Sequence, residues 1–255
     1  MKIATWNVNS LRVRLPQVLS WLDAEHPDLL ALQETKIPDP EFPAAEFLQR
    51  GYQLAFSGQK TYNGVAIVSR TPLTALQTEI PGFSDPQRRV LFVETSSIAI
   101  LDLYVPNGSE VGSEKYAYKL EWLKHVREFI RTLLSSHPRL VVLGDFNIAP
   151  ADADVHDPAA WEGQVLCSAP ERAAFEALVA LRLVDCFRMF PQPAGSYSWW
   201  DYRAAGFQRN LGLRIDHILA SAELAAKCRA CRIDRAPRTW ERPSDHTPVI
   251  AEFDG

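Results

Sequence analysis

The stretch RLVVLGDFN, Arg139 to Asn147, decides how the rest of the chain is read. Its apolar run Leu140-Val141-Val142-Leu143 is short and partly β-branched, which predicts a buried strand from Arg139 to Phe146. Asp145 and Asn147 close that run with polar groups. Just upstream, Tyr116 to Ser136 repeats apolar residues every three or four positions, at Leu120, Leu123, Val126, Ile130, Leu133 and Leu134. Lys124, Arg127, Glu128 and Arg131 fall on the other face, so this is an amphipathic helix whose stripe should cover a sheet.

The same unit recurs at the start of the chain. Lys2–Asn9 and Asp28–Gln33 read as strands around a helix over Leu15–His26 carrying Leu15, Val18, Leu19 and Leu22. Further strands are predicted at Tyr52–Ser57, Gly64–Ser69, Val90–Thr95, Ile98–Val105, Ser196–Trp199, Leu213–Ala220 and Val249–Phe253, with a second helix at Pro170–Leu183. Several strands lie too close together for helical crossovers, as antiparallel neighbours do. Strands with helices on outer faces predict stacked α/β layers. Ala149–Ala169 and Trp200–Gly212 are long irregular stretches of the kind that tend to carry function. No linker or low-complexity tract marks a boundary, so 1–255 is expected to be one domain.

At 255 residues with 47% hydrophobic content the chain can bury a sizeable core. It has no apolar run of membrane-spanning length and no basic, apolar leader, which implies a soluble cytoplasmic protein away from membranes; a monomer is expected. Four cysteines are too few for a disulfide framework, and the lone CxxC of Cys228 and Cys231 lacks a second pair for zinc. The net charge of −4 argues against a protein that coats nucleic acid through overall basicity, but not against an enzyme with a local basic rim.

Polar groups gather where apolar strands end. Asn7 and Asn9 follow the first, Glu34 the second and Asp145 with Asn147 the central one; Asp216 interrupts Leu213–Leu219, and Asp245-His246 precedes the last. Strand ends are where open α/β sheets place ligands. Each residue alone also reads as a turn former or cap. Together, Glu34, Asp145, Asp216 and Asp245 predict one centre. Two carboxylates about 4 Å apart repel by roughly 4 kcal/mol at an effective dielectric near 20, so such a centre needs a cation, protons or basic partners. Hard oxygen donors favour Mg²⁺, with Mn²⁺ as substitute, and Mg²⁺ with carboxylates points to phosphate chemistry.

Seven ordered segments, KIATWNVNSLR, LLALQETK, YVPNG, LVVLGDFNIAP, SWWDYR, NLGLRIDHILAS and PSDHTPV, span the chain nearly end to end. In them the sequence resembles exonuclease III and its abasic-endonuclease relatives in the endonuclease/exonuclease/phosphatase superfamily. The resemblance implies a four-layer α/β sandwich of two packed, mainly antiparallel mixed sheets flanked by helices. It implies Glu34 as principal Mg²⁺ ligand with Asn7 and Asp245 assisting, and His246, oriented by Asp216, on the scissile phosphate. Asp145 would activate or align water, Asn147 and Asn107 would hold phosphate oxygens, and Tyr104 would sit against the scissile group. Trp199 would form the pocket for a baseless sugar, and Asn210 would meet the substrate; Lys36, Lys115, Lys119, Arg88 and Arg89 are candidates for phosphate contacts, each of which also reads as a solvated surface charge. Asn9 departs from the pattern, standing where some relatives carry an acid. His217 should face away from Asp216 on an alternating strand and is expected to be structural.

The implied partner is double-stranded DNA with abasic sites or blocked or recessed 3′ ends. The implied reaction is hydrolysis 5′ to the abasic site, with 3′→5′ exonuclease and end-trimming activity. Rival readings are a superfamily hydrolase acting on another phosphate ester and a non-catalytic DNA-binding member. SWWDYR and YVPNG speak against the first, and the full set of acids with His246 against the second.

Overall fold

In the computed structural model, which describes residues 1–255, the expected strand at Leu140 sits inside one of two six-stranded sheets. The chain opens with β1 (Lys2–Asn7), α1 (Leu11–Glu25) and β2 (Leu29–Gln33). Next come α2 (Ala44–Leu48), β3 (Gln53–Ser57), β4 (Val65–Ser69), β5 (Thr74–Gln77), β6 (Val90–Glu94), β7 (Ala99–Tyr104), α3 (Glu114–Ser136) and β8 (Leu140–Asp145). The remainder is α4 (Pro158–Trp161), α5 (Ala169–Val179), β9 (Leu183–Asp185), β10 (Trp199–Trp200), β11 (Gly212–Leu213), β12 (Asp216–Ser221), α6 (Ala222–Ala225), β13 (Cys228–Ile233) and β14 (Val249–Phe253).

The sheets run β13-β14-β1-β2-β4-β3 and β5-β6-β7-β8-β12-β9, with β10 and β11 as a separate ribbon. Each large sheet holds one parallel pair, β1–β2 and β7–β8, whose crossovers carry α1 and α3. The large sheets' other pairs are antiparallel. Ile3, Ala31, Ile67, Leu91, Ile100, Val141, Leu143 and Ile218 form the layer between the sheets. α1 and α2 cover the outside of the first through Trp6, Leu11, Trp21 and Phe47. α3 and α5 cover the second through Trp122, Val126, Ile130, Phe175 and Leu178. The four expected layers are therefore present.

Because side chains alternate along a strand, the inter-sheet face can be followed by twos. Ile3, Thr5, Asn7; Ile100, Asp102, Tyr104; Val141, Leu143, Asp145; and Ile218 back to Asp216 share that face. It is apolar at one end and polar at the other, which fixes where chemistry can occur. His217 points outward, edge-on to Phe146 with ring centroids 5.3 Å apart and 4.8 Å from Phe175. Burial, with Arg214 beside it, lowers its pKa to about 4, so it is a neutral core residue, as the alternation predicts.

Several boundaries differ from the sequence reading. α1 begins at Leu11 rather than Leu15, with Pro16 inside it; a proline usually signals a first turn. β9 takes up Leu183, which the periodicity had assigned to a helix. β5, β9 and β13 went unrecognised as strands, since these sheet-edge strands are short or exposed and lack clean alternation. The short α2 was also missed.

Candidate active site

The polar end of the inter-sheet face assembles side chains from both sheets. Asn7, closing β1, donates through Nδ2 to Asp145 Oδ2 at 2.9 Å and to Glu34 Oε1 at 3.2 Å. Its Oδ1 accepts from Asn9 N at 2.9 Å, so all its partners agree on the orientation of the amide. In this arrangement Asn7 presents hydrogens rather than oxygen to Glu34. Tyr104 donates its hydroxyl to Glu34 Oε1 at 2.5 Å. Burial and the Glu34 carboxylate raise the phenol well above its usual pKa, keeping it a donor. Burial opposes ionisation of Glu34, but Lys36 outweighs it and the carboxyl is lowered.

Lys36 Nζ lies 2.8 Å from Glu34 Oε2 and donates to Asn9 Oδ1 at 2.7 Å. Asn9 Nδ2 in turn reaches Asp245 Oδ1 at 2.9 Å, and Trp199 Nε1 reaches Asp245 Oδ2 at 3.0 Å. Asn9, Ser10, Glu34, Lys36 and Asn147 all adopt positive φ, between 41° and 85°. A non-glycine residue there costs roughly 1–2 kcal/mol, strain held in place by the sheets beneath.

Asp145 and His246 are the buried centre. His246 Nδ1 lies 2.9 Å from Asp216 Oδ2, and its Nε2 lies 3.8 Å from Asp145 Oδ2. Burial disfavours charge on the imidazole, but Asp216 and Asp145 outweigh it and raise its pKa to about 10. Burial raises the Asp145 carboxyl, and Asp216 adds to this, reaching about 7 despite the nearby imidazolium. Asn147 N and Nδ2 donate to Asp145 at 2.9 and 3.2 Å, and Asn107 Nδ2 donates to Asn147 Oδ1 at 3.1 Å.

Donor atoms of Asp145, Asp216 and His246 lie within 4.8 Å of one another, a possible divalent-metal cluster. A protonated imidazole lacks the lone pair a cation needs, so the cluster as arranged shares protons. Glu34 is better placed for a metal: its carboxylate is ionised and already draws the Lys36 ammonium.

The two tryptophans separate. Trp200 is fully buried, donating to Asn210 Oδ1 at 3.1 Å, while Trp199 stays half-buried beside Asp245. Asn210 also donates to Gly195 O at 3.0 Å, so both ends of its amide hold the loop. Arg89 stacks over Tyr104 at 4.6 Å and, with Asn107 and Lys115, lines a groove of about 410 Å³. Lys119, which the sequence grouped with solvated phosphate-binding lysines, is instead completely buried. Ser198 was missed: it donates to Asp216 Oδ2 at 2.6 Å and accepts from Ile215 N and Asp216 N, both at 3.1 Å. Nothing local distinguishes it from an ordinary strand-end serine.

This strand-end arrangement defines a class. The endonuclease/exonuclease/phosphatase family model matches residues 4–246. Within that class the chain belongs to the exonuclease III / AP endonuclease family and is a hydrolase, a DNA nuclease. It is 32% identical to exodeoxyribonuclease III of Haemophilus influenzae over 99% of this chain and 100% of that protein. Among solved structures it is 49% identical to a 3′-5′ exonuclease from Neisseria meningitidis, with TM-score 0.98 and both chains fully covered. A Neisseria 3′ phosphatase bound to a product DNA hairpin gives the same values. An AP endonuclease from Archaeoglobus fulgidus is 38% identical, with TM-score 0.95 and full coverage of both. Neither rival reading survives this membership. No helix is long and apolar enough to cross a membrane.

Proposed function

We propose that the chain is a Mg²⁺-dependent DNA-repair hydrolase that breaks the bond between phosphorus and a 3′ oxygen. The carrying observation is the Asp145–His246–Asp216 cluster set beside Glu34. Exonucleolytic trimming, 3′-phosphate removal and incision 5′ to an abasic site all break that same bond and leave a 3′-hydroxyl. One site therefore serves all three. The likeness to the Neisseria exonuclease and 3′ phosphatase favours 3′-terminal work as the leading activity, with abasic incision second.

Asp145, with its pKa near 7, accepts the proton of the attacking water. His246, held protonated by Asp216, offsets charge gathering on the phosphate oxygens; Asn107, with one Nδ2 hydrogen free, orients them, while Tyr104 and Asn147 hold Glu34 and Asp145 in place. The Glu34 carboxylate suits a hard cation such as Mg²⁺ or Mn²⁺, with Asp245 able to contribute. Bound there, it would offset negative charge on the phosphate and on the departing oxygen. Trp199 packs against an extrahelical sugar, and Arg89 meets the DNA backbone from the groove.

Three labelled duplexes test this, carrying a recessed 3′ hydroxyl, a 3′ phosphate and a central abasic analogue, each in Mg²⁺ and in EDTA. Mg²⁺-dependent products ending in a 3′ hydroxyl are expected. Products ending in a 3′ phosphate, or no turnover with any divalent metal, would overturn the reading.

A further inference from the structure

Lys119 sits in the second turn of α3, where a lysine would ordinarily reach water, yet it and Glu171 are both 0% exposed. Removing an ammonium from water costs several kcal/mol unless its hydrogens are placed. Here Nζ donates to Glu171 Oε1 at 2.5 Å, to Asn147 O at 2.7 Å and to Asn107 O at 3.1 Å. Neither carbonyl receives a backbone amide. The ammonium thus joins the main chains of two loops, one leaving β7 and one leaving β8. Their asparagine side chains are themselves joined on the opposite, active-site side at 3.1 Å.

Asn147 gives this grip its leverage. It lies at φ 50°, a conformation asparagine tolerates but does not prefer, and its Nδ2 bridges Val105 O and Asp145 Oδ2 at 3.0 and 3.2 Å. A rotation of its peptide would move the side-chain amide and loosen its contacts to Asp145. Glu171 is the counter-charge, anchored by Leu166 N at 3.0 Å and by Ser168 N at 3.2 Å at the start of α5.

We infer that Lys119 is a positioning residue, a buried cation that holds the backbones of Asn107 and Asn147 so that the Asn147 amide keeps its grip on Asp145 and aims the remaining Nδ2 hydrogen of Asn107 at the phosphate. This rests on the reading that Asp145 accepts the water's proton and Asn107 holds a phosphate oxygen. It accounts for a lone lysine taken out of water in the second turn of a helix whose other basic residues remain in contact with solvent.

The test compares Glu171→Gln, which keeps the lysine, with Lys119→Met/Glu171→Gln, which removes the pair without stranding a charge. Both are expected to unfold cooperatively at lower urea than the parent. On the recessed 3′ duplex the double variant should lose about 10²-fold in kcat, as misplacement near 1 Å does, with KM changed less than about threefold. Glu171→Gln should stay within about threefold of the parent in both constants. In an Asn147→Ala background, removing Lys119 should cost little more, because the lysine acts through Asn147. Equal kcat losses in the two variants, or losses that multiply with Asn147→Ala, would overturn the inference.

A parent protein inactive on every duplex would instead overturn the functional reading. Lys119 is then judged by the side-chain amide NMR signals of Asn147, which should shift and exchange faster on Lys119→Met/Glu171→Gln and remain near parental in Glu171→Gln. Unchanged signals would refute it. Should the double variant fail to fold, Lys119→Gln with the same Asn147→Ala cycle decides in the same way.

Discussion

Replacing Asp216 with asparagine keeps the shape of the buried cluster and removes the anion that charges His246. The imidazole rises from 6.5 to about 10, a rise of about 3.5, which corresponds to about 5 kcal/mol in favour of the protonated form. Asp216 is the leading cause of that rise, through contacts at 2.9 and 3.1 Å, and Asp145 at 3.8 Å is secondary. Asparagine can still accept from Nδ1, so the ring should stay in place while its pKa falls by at least about 2, equivalent to about 2.7 kcal/mol. At pH 8.5, with the pKa near 8, about three-quarters of His246 is neutral, which should lower kcat by at least about fourfold. The stability that the raised pKa brings is complete below the unfolded value near 6.5 and is lost as pH rises through about 10. The Asp216→Asn penalty in urea should therefore be largest below pH 6.5 and fade toward pH 10. Nitrogen-detected NMR titration of the imidazole, alongside kcat, is the assay. An unmoved midpoint in the variant, or kcat within threefold of the parent, would refute the electrostatic account.

Three further outcomes follow from the same geometry. Activity should climb as pH rises toward about 7, where Asp145 loses its proton, and hold until His246 deprotonates near 10; a bound cation can only move the lower limb down. A rate that falls between pH 7 and 9 would contradict those roles. Glu34→Gln should raise the Mg²⁺ concentration for half-maximal rate by at least about 10-fold and weaken the rise in melting temperature with added MgCl₂, measured by calorimetry. Gly144→Ala should destabilise by about 1–3 kcal/mol in urea and cut activity, because a Cβ there would meet Leu103 O at 1.9 Å, next to Asp145. Parental stability in that variant would show that β7 and β8 can part without consequence.

The list of parts could be read along the chain. Apolar runs at Ile3, Leu30 and Val141 read as strands, the stripe from Leu120 to Leu134 read as a helix, and acids and amides stood at strand ends, because both patterns repeat within a few residues. Seven ordered motifs were enough to name the family. The contacts that make a site were not legible, since they join residues far apart in the chain: Asn7 meets Asp145 across 138 positions, and Asn9 meets Asp245 across 236. His246 became a buried cation and His217 a neutral core ring because they face opposite sides of different layers. Lys119 looked like a surface charge until α3 settled over the ends of β7 and β8. Whether a side chain is charged, buried or partnered depends on what the other sheet and the covering helix bring against it, which local pattern does not encode.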